Sequence, residues 1–135
     1  MPDRTVTRTI ESDLEPDAIL AVLMEPKLLP RWAPAFADEA EKTAFDTWQI
    51  TKNENRFEMQ MSASASSGTV DYLREVAPGK RGGAYIRVLP RPAGGSVVIM
   101  TLPVTGNADV ESVAAVLVEE LKNLVELVKA TCSVQ

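Results

Sequence analysis

From Asp109 to about Ala130 the chain carries apolar residues at helical spacing: Val110, Val113, Ala114, Leu117, Leu121, Leu124, Val125 and Val128. Asn107 or Asp109 can cap this helix, and Lys129 in its last turn complements the helix dipole. About 22 residues at 1.5 Å per residue make a rod about 33 Å long. Glu119, Glu120, Lys122, Glu126 and Lys129 mark its wet side. The apolar face is wider than a two-helix seam requires. It needs a broad, concave partner, and the only candidate in the chain is a sheet.

The sheet is legible upstream. Arg4 to Ser12 alternates, with Val6, Arg8 and Ile10 on one face and Thr5, Thr7 and Thr9 on the other, which predicts a strand. Ser12 or Asp13 then offers a helix cap and Pro16 a first-turn residue, followed by the stripe Ile19, Leu20, Val22 and Leu23. Pro26 ends that helix. The proline-punctuated segment Pro26 to Pro34 predicts one brief second helix. From Phe36 to Thr105 the alternation is strand-like: Trp48 and Ile50, then Phe57, Met59 and Met61, then Val70 and Tyr72, then Tyr85–Leu89 and Val97–Leu102. Turn signals at Lys52–Asn55, Ser66–Gly68, Pro78–Gly83 and Pro90–Gly95 separate them, predicting hairpins and an antiparallel sheet. The patch Ser62-Ala63-Ser64-Ala65-Ser66-Ser67 reads as part of a flexible hairpin, or more pointedly as a phosphorylation tract.

A chain of 135 residues fits one domain spanning 1–135. The absence of His removes the Ser-His-Asp triad, the Cys-His pair and His-based metal sites. Cys132 is the single cysteine, so no internal disulfide forms, and the bland reading is a free thiol without a role. A net charge of −5 argues against binding a phosphate backbone, so no nucleic-acid partner is expected. The N-terminus lacks the apolar core of a signal peptide. The longest apolar runs, Ala18–Met24 and Val113–Val118, fall short of the roughly 20 residues of a membrane span. These features predict a cytoplasmic protein without membrane insertion, metal or cofactor.

The order strand, two short helices, about six to seven strands and a long C-terminal helix resembles the START-like, or SRPBCC, superfamily, an α+β helix-grip fold. The stretch Leu14 to Leu23 looks like the family's first helix. Met24-Glu25-Pro26-Lys27-Leu28-Leu29-Pro30-Arg31-Trp32-Ala33-Pro34 looks like its turn into the second helix. Gly68–Tyr72 and Gly94–Thr101 look like its middle and last strands. The resemblance implies a curved antiparallel sheet wrapped around the C-terminal helix, with a cavity between them for a small hydrophobic or amphipathic molecule, lipid-like or polyketide-like. It also admits a polyketide cyclase or dehydratase, or a module that activates a chaperone ATPase. A homodimer is compatible with all three.

Seven residues are candidates for touching a ligand. Trp32, between Pro30 and Pro34, is either a wall of the cavity mouth or a packing anchor. Trp48, Phe57, Met59 and Met61 suit either a permissive apolar pocket or an irregular core. Tyr72 can carry its phenol toward a ligand or toward a backbone carbonyl. Arg87 reaches the cavity if Tyr85 and Leu89 face inward; it is solvated, the more ordinary outcome, if Ile86 and Val88 do. Asp71, opposite the Val70/Tyr72 face, is expected to be exposed. Asp38, Glu39 and Glu41 read as a solvated edge strand rather than acid–base pairs or a hard-metal site, and Lys80-Arg81-Gly82-Gly83 as a hairpin tip rather than a phosphate loop. Without His, the acid–base candidates shrink to Tyr72, Arg87 and the carboxylates, and no catalytic residue is assigned.

Overall fold

A computed structural model describes residues 4–104 and 108–133. Strand β1 (Arg4–Ser12) is followed by helix α1 (Pro16–Leu23), a 3-10 turn (Pro26–Leu28) and the single-turn helix α2 (Leu29–Trp32). Six strands follow: β2 (Glu39–Ala44), β3 (Thr47–Lys52), β4 (Asn55–Ser64), β5 (Thr69–Ala77), β6 (Lys80–Pro90) and β7 (Ser96–Val104). Helix α3 spans Val110–Ser133. The seven strands form one curved, wholly antiparallel sheet in the order β1-β7-β6-β5-β4-β3-β2. This is the expected α+β helix-grip architecture.

Period-two alternation sorts the strands into faces. Trp48, Ile50, Met59, Val70, Tyr72, Ile86, Val88, Val98 and Met100 are all buried. They meet Leu117, Leu121, Leu124 and Val128 of α3 and Ile19, Leu20 and Leu23 of α1 in one core. Helix α3 packs along β1 and against α1 and α2. The Asp109 carboxylate caps it, accepting the Glu111 N–H at 3.1 Å and the Ser112 hydroxyl at 2.8 Å. Asn107, the alternative cap, lies outside the described residues, as does the side chain of Cys132.

Three local expectations change. First, neither Ser12 nor Asp13 caps α1. Ser12 ends β1 and its hydroxyl accepts the Leu14 N–H at 3.0 Å, which leaves Glu15 at the cap position with no side-chain cap bond. The Glu15 carboxylate instead accepts the Gly95 N–H at 3.0 Å, tying this corner to the β6–β7 turn. Second, the turn expected over Pro78–Gly83 shrinks, because β6 begins at Lys80, and Gly82 and Gly83 pair with Arg74 and Leu73 inside the sheet. A Cβ on Gly83 would lie 1.9 Å from the Tyr72 carbonyl oxygen, so the glycine there serves close approach of two strands rather than chain reversal. Third, Glu120 is not on the wet side of α3; it is buried. By contrast β2 is an edge strand with Glu39 and Glu41 exposed, as its sequence suggests.

Candidate functional site

The sheet, α2 and the first half of α3 leave a cavity of about 710 Å³. Its floor is Met59 of β4, Tyr72 of β5, Ala84 of β6 and Met100 of β7. Its roof is Leu117 and Glu120 of α3, and its side wall is Leu29, Trp32 and Ala33 from α2 and the residue after it. The lining residues that reach solvent, among them Ala35, Ala77, Lys80, Arg81, Pro103 and Val116, mark its mouth at the β5–β6 hairpin.

Three of the seven candidates line this cavity: Trp32, Met59 and Tyr72. Trp32 is 2% exposed; its carbonyl accepts a bond from Asn123 Nδ2 at 3.3 Å, which pins α2 to α3. Its ring centroid lies 6.3 Å from that of Tyr72, and its buried indole N–H has no acceptor among the described residues. The Tyr72 ring faces the cavity, but its hydroxyl donates to the Leu23 carbonyl at the end of α1. Burial raises the phenol pKa far above its ordinary value. The Tyr72 hydroxyl is therefore spent on the fold.

The other candidates stand apart from the cavity. Trp48, on β3, sits opposite Met59, its indole N–H also without an acceptor among the described residues, with the Lys42 ammonium 5.9 Å from its ring. Phe57 packs edge-on against Phe36 at 5.5 Å and carries the Arg74 guanidinium 4.4 Å above its ring. Met61 lies opposite Tyr72 and packs against the core without reaching the cavity. Arg87 is on the convex face, because its neighbours Ile86 and Val88 are the buried pair. There it binds Asp71 at 2.8 Å, so it cannot meet a ligand in the cavity. Asp71 is correspondingly half-buried rather than free in solvent.

The strongest polar feature of the cavity was invisible to charge-based reading. Glu120 is 8% exposed and lines the roof beside Leu117. Among the described residues its carboxyl has no hydrogen bond and no ion pair. Desolvation pushes its pKa up to about 7. The signal for it was position: Glu120 follows Leu117 by three residues and precedes Leu124 by four, on the apolar stripe itself. Three cations share the lining of the cavity with it. Arg74, Lys80 and Arg81 line the outer part of the cavity, and none of them has a carboxylate partner among the described residues. Among the described residues no three His, Cys, Asp or Glu side chains converge as a metal site would need. Nor is any described helix long and apolar enough to cross a membrane.

No protein-family model and no curated protein matches the chain in sequence. Solved structures match it in fold. A START superfamily protein from Mycobacterium smegmatis superposes with a TM-score of 0.70 at 12% identity, covering 94% of this chain and 98% of that one. The ZhuI aromatase/cyclase from Streptomyces sp. R1128 gives 0.68 at 12% identity, over 95% and 94% of the two chains. Ara h 8.0201 gives 0.66 at 13% identity, over 96% and 99%. The chain has the START-like, or SRPBCC, fold.

Proposed function

We propose that this protein binds a small hydrophobic or amphipathic molecule, lipid-like or polyketide-like, in the cavity between the sheet and α3. The observation that carries this reading is the cavity itself: about 710 Å³, floored by Met59, Tyr72 and Met100 and walled by Trp32. Small-molecule sites run at about 300–1,000 Å³ with mostly apolar walls and a few polar groups. Burying apolar ligand surface contributes about 25 cal/mol per Å², less the cost of ordering the ligand. Methionines on two strands let the floor adapt to irregular shapes. Arg74, Lys80 and Arg81 at the mouth suit the anionic end of an amphipathic molecule. The interior is not filled, which weighs against a role confined to protein interaction.

Native mass spectrometry tests the reading directly. The expected result is a discrete excess mass that is lost on denaturation, or one acquired on incubation with an apolar probe. A bare polypeptide that also leaves Trp32 fluorescence unchanged across a panel of apolar probes would overturn it. A second reading, a cyclase- or dehydratase-type enzyme, is favoured by one observation: a cavity carboxyl, Glu120, poised near neutral pH. Catalysis of that kind has a pH–rate limb near 7 that Glu120→Gln removes.

A further inference from the structure

We infer that the cavity selects an apolar molecule bearing a carbonyl oxygen, and that the Glu120 carboxyl is the hydrogen-bond donor that holds this oxygen. The inference rests on the reading of the cavity as a binding site and names the chemistry of its occupant. A leucine at position 120 would complete the apolar stripe of α3; a carboxyl there opens onto the cavity with no protein partner among the described residues. Such groups are rare because an unmade hydrogen bond in a low-dielectric site is costly.

The other charged and titratable groups lining the cavity do not satisfy Glu120. The Tyr72 hydroxyl is given to the Leu23 carbonyl. The Arg74 guanidinium lies over the Phe57 ring. Lys80 and Arg81 are exposed at the mouth. With its pKa near 7, the carboxyl carries a proton under mildly acidic conditions and then offers an O–H to the cavity. A donor without an acceptor calls for an acceptor on the ligand, and a ketone or similar carbonyl is an acceptor only. The three cations of the outer cavity disfavour a positively charged occupant.

A matched pair of probes tests this: 2-acetonaphthone, a ketone, and 2-ethylnaphthalene, its near-isosteric hydrocarbon, titrated by quenching of tryptophan fluorescence. At pH 6 the native protein is expected to bind the ketone about tenfold more tightly, the size of one net hydrogen bond. Glu120→Leu loses the preference and keeps hydrocarbon binding. Glu120→Gln, still a donor, keeps the preference at pH 6 and also at pH 8.5, where the native protein loses it as Glu120 ionises. Circular dichroism confirms that both variants fold. Hydrocarbon binding with no ketone preference, or a preference unchanged in Glu120→Leu, overturns this inference and leaves the binding site standing. Binding of neither probe overturns both.

Discussion

A single carboxyl dominates the residue scale. Glu120 has its pKa raised from an ordinary value near 4.5 to about 7 by burial. The folded state therefore holds a proton that the unfolded state releases between those values. Stability is fully present below about pH 4.5 and falls as pH rises toward 7, by about 3 kcal/mol at order of magnitude. Glu120→Gln should flatten this limb. The expected outcome is a melting temperature several degrees above the native protein at pH 8 and level with it at pH 5, read by thermal denaturation. Tyr72→Phe makes the opposite case. It strands the Leu23 carbonyl in the core and should lower stability by about 1–3 kcal/mol in denaturant titration. These residues differ in how legible they were. Trp32, Met59 and Tyr72 came from apolar residues at strand or proline-flanked positions, and all three line the cavity. Glu120 reads as solvent-facing by residue type, because a carboxylate on an amphipathic helix ordinarily faces water; only its register with Leu117 and Leu124 says otherwise. The direction of Arg87 is not legible in sequence because Tyr85, Ile86, Val88 and Leu89 are apolar on both faces of β6, so alternation carries no sign.

At the scale of elements the hairpins set the cavity's shape, and they contain two local compromises. The β3–β4 turn holds Asn53 and Glu54 at φ of 51° and 72°, a left-handed pair of the kind that matches the twist of flanking strands. Glu54 has a Cβ in that region, which costs about 1 kcal/mol relative to glycine. Glu54→Gly should raise stability by up to that amount, and an unchanged unfolding midpoint would show that the turn relaxes elsewhere. Asp38 braces the same turn: its carboxylate accepts the Asn53 N–H at 2.9 Å and pairs with Lys52, and these contacts hold its pKa below the usual carboxylate range. At the β5–β6 hairpin, Gly83→Ala would drive a Cβ into the Tyr72 carbonyl and force the strands apart at the cavity mouth. The expected result is a loss of about 1–3 kcal/mol together with weaker probe binding. Element order, strand alternation and the long helix were readable because each rests on a period repeated several times. Gly82 and Gly83 read as turn residues in sequence because local punctuation cannot distinguish a chain reversal from a close approach of strands that are only neighbours in space.

For the whole molecule, the sheet and α3 act as two halves of a container, so occupancy and folding are linked. A molecule at one hundred times its dissociation constant stabilises the folded state by about 2.7 kcal/mol. Saturation with the ketone probe should therefore raise the melting temperature of the native protein and raise that of Glu120→Leu less. The mouth adds a test of charge. Replacing Lys80 and Arg81 together by alanine should weaken an anionic amphiphile such as dodecanoate, and the salt dependence of its binding, while leaving dodecanol unaffected. Equal losses for acid and alcohol would mean that the hairpin acts by shape alone. The pairing of β1 with β7 reaches further still. Arg4 lies opposite Val104 and Ser12 opposite Ser96, so the first strand has no partner until the last one exists. On a ribosome, β1 and the whole inner face of the sheet are made before α3, the element that roofs them. During synthesis this apolar trough stands open to the cell for as long as translation of the helix takes, exposed both to chaperones and to the very kind of molecule the finished cavity is shaped to hold.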